Sequence, residues 1–376
     1  MRIAFTGGGT GGHLFPIIAI AREIRNLSRG KTLPEFYYIG PVNQLGAVAL
    51  SQENIHISPV LAGKIRRYWT PLSTPQNFFD LLFKMPVGII QAFAHIFFIA
   101  PDLIISKGGY GSIPGVIAGW ILQVPIFLHE SDVAPGLANR FLSKFAIEIF
   151  VSFPIRETEF FPTRKMISTG NPVRRELLDG SAETAKEIFS LSGQKAVMLV
   201  LGGSQGSQRI NEMLLQAMPD IFLDFELIHQ TGVQNFEQVK AEANVVIPEK
   251  LKKYYHPCAF LAENDLRHAL QAASLIVSRA GSGSIFEIAA VVKPSILIPL
   301  PEAAQDHQLK NAYAYGRTNA ATVIEEQNLK PHFFLERAKH IVSNPSILSE
   351  MTAAAKEFSR IQAAKIIAEY VLAYLE

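Results

Sequence analysis

Residues 6–13 read Thr-Gly-Gly-Gly-Thr-Gly-Gly-His, between an apolar run from Ile3 to Phe5 and an apolar periodic run from Leu14 to Ile24. A strand that turns through glycine directly into a helix starts a βα unit and leaves unpaired backbone N–H groups at the helix N-terminus. The helix dipole puts its positive end there, so the junction suits an anion. Glycine serves because a Cβ would block close approach of the anion and the positive φ angles of the turn. A tight turn without a ligand explains one or two of these residues, not five glycines with His13 behind them.

Gly7, Gly9 and Gly12 also fit the G-x-G-x-x-G dinucleotide fingerprint. That motif needs an acid at the end of the next strand to hold a ribose hydroxyl. The next strand, Glu35 to Ile39, ends in Gly40-Pro41 with no acid, which argues against NAD or FAD.

A length of 376 residues gives about two domains, and 48% apolar with 18% charged residues argues against disorder. The first 165 residues hold 15 Lys/Arg and 10 Asp/Glu, the rest 20 and 23, so the first half is mildly basic and suits an anionic partner. Cys258 is the single cysteine, which excludes an intramolecular disulfide and a cysteine-built zinc site. The N-terminus enters a strand at once, and no signal peptide is read there. The apolar stretch from Val87 to Ala100 is about 14 residues long and contains Gln91 and His95, against about 20 for a membrane span. A soluble or peripheral chain, not an integral one, is the expectation.

Candidate strands in the first half are Arg2–Thr6, Glu35–Gly40, Ile55–Val60, Asp102–Ser106, Pro125–His129 and Glu148–Ser152. Strands alternating with helical stretches imply βαβ units and a parallel sheet. The alternation stops around Thr169 to Arg174 and restarts with a strand at Ala196–Leu201 and a second glycine loop, Gly202-Gly203-Ser204-Gln205-Gly206-Ser207, before a helix from Ile210 to Ala217. Strands at Glu226–Thr231, Ser274–Ser278, Ser295–Pro299 and Ala321–Ile324 follow, and Ile347 to Leu375 reads as helix. The fold class is α/β: two Rossmann-like, doubly wound domains facing a cleft, residues 1–165 (joined by the C-terminal helix of about 347–376) and 166–346. Ligands of such sheets sit outside the carboxyl ends of the strands.

A third glycine-rich site, Ser278-Arg279-Ala280-Gly281-Ser282-Gly283-Ser284-Ile285-Phe286-Glu287, follows a strand and opens a helix. The N–H groups of Ser282 to Ser284 suit a diphosphate. Glu287 is either the partner of Ser284 in a Ser-x-x-Glu capping box or a carboxylate accepting both hydroxyls of a ribose; the flanking phosphate loops favour the ribose. A fourth site, Lys107-Gly108-Gly109-Tyr110-Gly111-Ser112, adds donors, a hydroxyl and a lysine to the basic half. His129-Glu130-Ser131-Asp132 ends another strand; it has acid/base groups but no second histidine at metal-ligand spacing. Asp306-His307-Gln308 with Asn311 suits sugar hydroxyls. Tyr68-Trp69 and Phe78 to Met85, beside Lys64, Arg66 and Arg67, combine bulky apolar residues with cations, either as an interfacial surface for anionic lipid or as a core helix. No Asp-x-Asp occurs, so activity without a divalent cation is expected.

In order, these motifs closely resemble those of the bacterial MurG family of N-acetylglucosaminyl transferases, over nearly the whole chain. Gly8 to Pro16 is similar to the family's GGTGGHxxP loop and Gly108-Gly109-Tyr110 with Ser112 and Pro114 to its GGYxS segment. His129 to Asp132 with Gly136-Leu137-Ala138-Asn139 is similar to its HExN…GLxN region, with Asp132 where the pattern often has Asn. Gly170 to Arg174, Gly202 to Gly206, Arg279 to Glu287 and Asp306 to Ala312 complete the set. The resemblance implies a GT-B fold, UDP-N-acetylglucosamine as donor and an undecaprenyl-diphosphate-linked muramyl peptide as acceptor. It implies a peripheral place on the cytoplasmic face of the cell membrane, an anionic surface as partner, peptidoglycan synthesis as process, no cofactor and no nucleic acid. Carried over by position, Thr10, Gly11, Gly12, Asp132, Arg174, Ser204, Leu261, Ser282, Gly283, Ser284, Ile285, Phe286, Glu287 and Gln308 contact donor. Gly9, Gly11, Gly109, Tyr110 and Ser112 hold the acceptor diphosphate. The chemistry expected is an inverting displacement, with His13 as leading base and Asp132 and Glu130 as competing carboxylates. The alternatives are a GT-B transferase with another glycolipid or a small acceptor, a UDP-sugar 2-epimerase, and a nucleotide-sugar sensor without turnover.

Overall fold

A computed structural model describes residues 1–8, 11–30, 33–64, 73–155, 160–203, 206–301 and 306–376. It divides into two compact units, Met1–Arg174 with Ile361–Glu376, and Arg175–Arg360.

The first unit contains strands β1 (Arg2–Thr6), β2 (Glu35–Gly40), β3 (Ile55–Pro59), β4 (Leu103–Ser106), β5 (Ile126–Glu130), β6 (Glu148–Val151) and β7 (Met166–Ser168). Its helices are α1 (Gly11–Leu27), α2 (Gln44–Gln52), α3 (Ser73–Phe79), α4 (Met85–Ile99), α5 (Ile113–Ile121) and α6 (Leu137–Leu142). The seven strands pair in the order β3-β2-β1-β4-β5-β6-β7, and every pairing is parallel. Alternate residues of β1 feed opposite layers. Ile3 and Phe5 pack with Ile17, Ile20 and Ile24, and Ala4 packs with Ala92, Ile96 and Val116. Helices therefore cover both faces, which is why the strands read as unbroken apolar runs.

The second unit contains α7 (Ala182–Phe189), β8 (Ala196–Leu201), α8 (Gln208–Asp224), β9 (Phe225–Gln230), α9 (Phe236–Val246), β10 (Tyr255–Cys258), α10 (Glu263–Ala272), β11 (Leu275–Ser278), α11 (Ser282–Ala290), β12 (Ser295–Leu297), α12 (His307–Gly316), β13 (Ala321–Val323), α13 (Pro331–Val342) and α14 (Pro345–Phe358). Its six strands run β10-β9-β8-β11-β12-β13, again all parallel. Met198 and Val200 of β8 face the layer of α8 and α13, and Val197 and Leu199 face that of α10 to α12.

Three expectations change. The boundary falls between Arg174 and Arg175 rather than after residue 165, because β7 pairs with β6 and extends the first sheet. The C-terminal stretch is two helices. Helix α14 belongs to the second unit, and α15 (Ala363–Leu375), which follows the break at Ser359–Gln362, packs its Ile367, Ala368 and Val371 against α1 in the first. The apolar stretch is longer than it reads. One helical run covers Thr74–Ile99, 26 residues, and is long and apolar enough to cross a membrane by length and composition. It continues through Asp80 and Lys84 because a π-helical turn, Asp80–Lys84, joins α3 to α4, and the two charges pair at 2.7 Å with Asp80 buried.

Candidate active site at the two strand-order switch points

In both sheets the chain winds outward in one direction from the first strand and then in the other. The reversal lies between β1 and β4 in the first sheet and between β8 and β11 in the second. Crevices at such points, outside the carboxyl ends of the strands, bind ligands. All four glycine-rich segments leave these four strands.

At the first switch point the two loops enclose His13, the third residue of α1. A Cβ built on Gly8 would lie 2.8 Å from His13 Cδ2, and one on Gly109 would lie 3.0 Å from its Cε1. Only glycine lets both backbones close on the half-buried ring, and Gly109 also has φ +79°. The first loop is braced from below by the buried Tyr38 hydroxyl, 3.0 Å from the carbonyl oxygens of both Gly7 and Pro41.

The second loop is held by a relay. Glu130, the last residue of β5, accepts from Asn139 Nδ2 at 2.6 Å and from the Asp132 N–H at 2.9 Å. Asn139 Oδ1 in turn accepts the Gly109 N–H at 3.2 Å. The Ser112 hydroxyl donates to the Gly109 carbonyl at 2.8 Å. Lys107, buried beside this relay, donates to Ser131. Burial pushes the Lys107 ammonium down, against the pull of Glu130 and Asp132. Burial pushes the Glu130 carboxyl up, and the Asp132 charge adds to that. Burial, with the Lys107 charge, holds His129 well below the ordinary histidine value, and its Nε2 lies 3.4 Å from the Gly170 carbonyl.

Of the three acid/base candidates, Glu130 has both oxygens committed inside the fold. His13 and Asp132 are half-buried at the strand ends. Gly11 and Gly12 open α1, and Phe15 behind them carries the Arg174 guanidinium 4.0 Å from its ring centroid. Arg174 is buried and is the last residue of the first unit. Tyr110 and Ser112 form a 3-10 turn. Gly9 and Thr10 lie outside the described residues, as does Ser204.

At the second switch point α8 and α11 present their N-termini beside β8 and β11. Ser207 caps α8 by accepting the Ile210 N–H at 3.4 Å. The cap of α11 is Gly281, which offers no side chain. Ser284 is therefore inside the helix and Glu287 is its sixth residue, so the Ser-x-x-Glu capping box is not formed. Glu287 is half-buried; Ser282 opens the helix, and Gly283 and Ser284 follow. Ile285 and Phe286 turn their side chains into the core and offer a ligand only backbone. Leu261 is also buried; its N–H donates at 3.0 Å to Gln230 Oε1, while Gln230 Nε2 donates at 3.0 Å to the Gly203 carbonyl. Gln308 Oε1 accepts the Leu300 N–H at 3.0 Å. Sequence reasoning missed Tyr38, Gln230 and Glu326, which shape the loops from distant segments. The one available signal was polarity at the end of an apolar strand, as at Gln230.

With Thr6–Gly8, Gly11–His13 and Lys107–Ser112 at one switch point, and Gly202, Gly203, Gly206, Ser207 and Arg279–Glu287 at the other, the chain carries a pair of glycine-rich strand ends on each of two doubly wound sheets. The N-terminal domain of glycosyltransferase family 28 matches residues 3–151 and its C-terminal domain residues 197–367. A solved MurG from Acinetobacter baumannii shares the fold with a TM-score of 0.72 at 23% identity, over 99% of both chains. The UDP-GlcNAc 2-epimerase of Neisseria meningitidis also shares it, with a TM-score of 0.67 at 13% identity over 99% of this chain and 100% of that one. The architecture is thus GT-B, and by itself it admits both chemistries. Sequence separates them. The UDP-N-acetylglucosamine–N-acetylmuramyl-(pentapeptide) pyrophosphoryl-undecaprenol N-acetylglucosamine transferase 3 of Bacillus thuringiensis (strain Al Hakam) is 33% identical over 344 residues, 91% of this chain and 92% of that one. This chain belongs to that family of transferases.

Proposed function

We propose that the protein transfers N-acetylglucosamine from UDP-N-acetylglucosamine to undecaprenyl-diphosphate-linked N-acetylmuramyl pentapeptide. The observation that carries this is the 33% identity over 91% of the chain to a relative named for that reaction; the paired switch points supply its chemistry. The acceptor hydroxyl attacks the anomeric carbon and gives its proton to a base. The bond from that carbon to the UDP oxygen breaks, UDP leaves with the electron pair, and the configuration inverts. His13 is the base, its half-buried ring held between Gly8 and Gly109, and the two glycine loops around it hold the acceptor diphosphate. The N-termini of α8 and α11 stabilise the charge of the UDP diphosphate, and Glu287 accepts from the ribose hydroxyls. Incubation with UDP-N-acetylglucosamine and the undecaprenyl-linked acceptor tests this. Disaccharide product is expected, and epimerisation in the absence of acceptor overturns it.

The same unit docks on an anionic membrane. Helix α4 buries Met85, Gly88, Ala92 and Ile96, one stripe at helical spacing, and exposes Val87, Ile90, Phe93, Phe97 and Phe98. Because the stripe is engaged in the domain, this helix lies on the bilayer rather than across it. Lys64 and Lys84 border the segment; Arg66, Arg67, Tyr68 and Trp69 lie outside the described residues. Binding to vesicles containing anionic lipid, weakened by salt, is expected; equal binding to neutral vesicles contradicts the role of charge.

A further inference from the structure

We infer that Arg279 and Glu326 form a positioning pair that fixes the donor-binding loops of the second unit, an inference that rests on the assignment of UDP to that unit's switch point. Arg279 follows β11 and stands one turn before α11. Its Nη2 donates to Ser207 Oγ at 2.6 Å and pairs with Glu326 Oε2 at 2.5 Å. Its Nη1 donates to the carbonyls of Ile298 at 3.3 Å and Pro299 at 3.4 Å. One planar guanidinium thus ties together the β8–α8 loop, the β11–α11 loop, the end of β12 and the turn after β13. A lysine ammonium, without the fork of fixed donors, cannot span these partners.

Glu326 has a side chain only 2% exposed, and its second oxygen accepts Arg209 Nη1, from the first turn of α8, at 2.7 Å. A buried carboxylate left without its cations is strongly unfavourable, so Glu326 depends on both arginines, Arg279 on one oxygen and Arg209 on the other. Ser207 is the link to function. Its hydroxyl accepts from Arg279 and from the Ile210 N–H, so the N-terminus of α8 is anchored to the loop that opens α11. The N–H groups that meet the diphosphate are thereby aimed before it arrives, and a loop that must be ordered on binding loses affinity instead. Neither Arg279 nor Glu326 need touch the ligand. Arg209, largely exposed, contributes from the surface.

The test is calorimetric titration of the full chain with UDP, with steady-state kinetics beside it. Arg279→Lys and Glu326→Gln should each weaken UDP about tenfold and raise the donor KM in parallel, leaving the acceptor KM within twofold. Glu326→Asp should recover part of the loss. Arg209→Met, which leaves Arg279 in place on Glu326, should weaken UDP two- to threefold. A pair that only stabilises the unit would lower the unfolding temperature and leave UDP affinity unchanged. UDP binding within twofold of wild type in both Arg279→Lys and Arg209→Met overturns the inference while leaving the donor assignment standing. Absence of UDP binding by the wild-type chain overturns both.

Discussion

The two units share a topology and differ in what they put at its reversal point. In the first, the strand ends carry His13, Lys107, Glu130 and Asp132, and the glycine loops close on an imidazole. In the second, the loops are braced by an ion pair and two glutamine side chains, Gln230 and Gln308, and Glu287 is the half-buried carboxylate of α11. The outer faces differ as well. Helix α8 exposes Gln208, Arg209, Glu212, Gln216, Asp220 and Asp224 with Leu223, whereas α4 exposes isoleucine, valine and phenylalanine. An exposed apolar face of this extent marks an interaction surface. One sheet plan thus carries an imidazole between glycine loops and an apolar outer helix in one unit, and ion-paired loops with a mainly polar outer helix in the other.

The largest effect should come from breaking the side proposed for proton transfer. His13→Ala is expected to lower kcat by about 10²–10⁴ and leave UDP affinity within about twofold. Asp132→Asn, at the competing half-buried carboxylate, should cost less. The kinetic constants of the two variants, each checked for folding, decide. If Asp132→Asn is inactive and His13→Ala is near normal, the base is Asp132. Glu130→Gln should act through the Asn139 relay on loop shape, raising the acceptor KM more than it lowers kcat.

Glu287→Ala is the mirror experiment in the second unit. Loss of a charge-assisted pair of hydrogen bonds to ribose corresponds to about 1.5–3 kcal/mol, read as a donor KM raised roughly 10- to 100-fold with kcat largely retained. Because Glu287 is the sixth residue of α11 and not part of its cap, stability should change little. An unfolding temperature that drops while donor affinity holds would sink the ribose assignment.

Where the two units differ in their outer faces, Phe97→Asp and Ile90→Asp should each weaken binding to anionic vesicles by about tenfold or more, since burying a large apolar side chain is worth roughly 1.5–3 kcal/mol. Co-sedimentation measures it, and transfer activity on a soluble acceptor analogue should survive. Vesicle binding unchanged in the double variant would assign the exposed face of α4 another partner.

Much of this contrast is legible in the residues and part is not. Strands β1, β2 and β8 read to their ends, because apolar runs there stop at glycine or threonine. Strands β7 and β10 do not: the first has three residues, and the second is an edge strand carrying His256 and Pro257. The four glycine segments were visible because strand–glycine–helix is local chemistry. The braces were not, because Tyr38 under Gly7, Gln230 under Gly203 and Glu326 under Arg279 join segments distant in the chain. The face of α4 was half visible. Its composition is apolar, but only packing shows that the small residues Gly88 and Ala92 turn inward and leave the phenylalanines outside.

Acid should separate the units again. His229 is fully buried, with Nδ1 3.1 Å from the Tyr255 hydroxyl and Nε2 3.0 Å from Asn211 Oδ1, and burial pushes its pKa down to about 3. A histidine lowered by folding contributes full stability above its unfolded pKa of about 6.5 and loses it as the pH falls toward the folded value. In the first unit His129 moves the same way, but the adjacent Glu130, raised by burial, favours the folded state in acid and opposes it. Between pH 7.5 and pH 5 the second unit should therefore lose about 2 kcal/mol through His229. Amide exchange resolved by unit measures it, and His229→Gln should flatten the pH dependence. Equal losses in wild type and variant would remove His229 as the cause.

The smallest effect concerns how one helix ends in each unit. Helix α4 stops on Ala100 with φ +47°, and α11 is followed by Val292 with φ +58°, both left-handed. The Ala100 N–H donates to Ile96 and the Val292 N–H to Ala289, so both turns are hydrogen-bonded and the chain cannot relax them freely. Left-handed geometry costs an L-residue about 1–2 kcal/mol, and a β-branched residue is the more strained of the two. Glycine removes that cost but adds about 0.5–1 kcal/mol of unfolded-chain entropy. Val292→Gly also gives up half-buried methyl contacts in the groove lined by Val342 and Leu348. With those contacts subtracted from a difference of about 0.5–1 kcal/mol, the net gain should be under about 0.5 kcal/mol, or roughly 1–2 °C in the unfolding temperature of a unit this size. Ala100→Gly, with less strain to release, should gain under about half of that. Differential scanning of the two variants ranks them. A larger gain at Ala100, or a loss at Val292, would show that the methyl contacts in the groove outweigh the backbone strain.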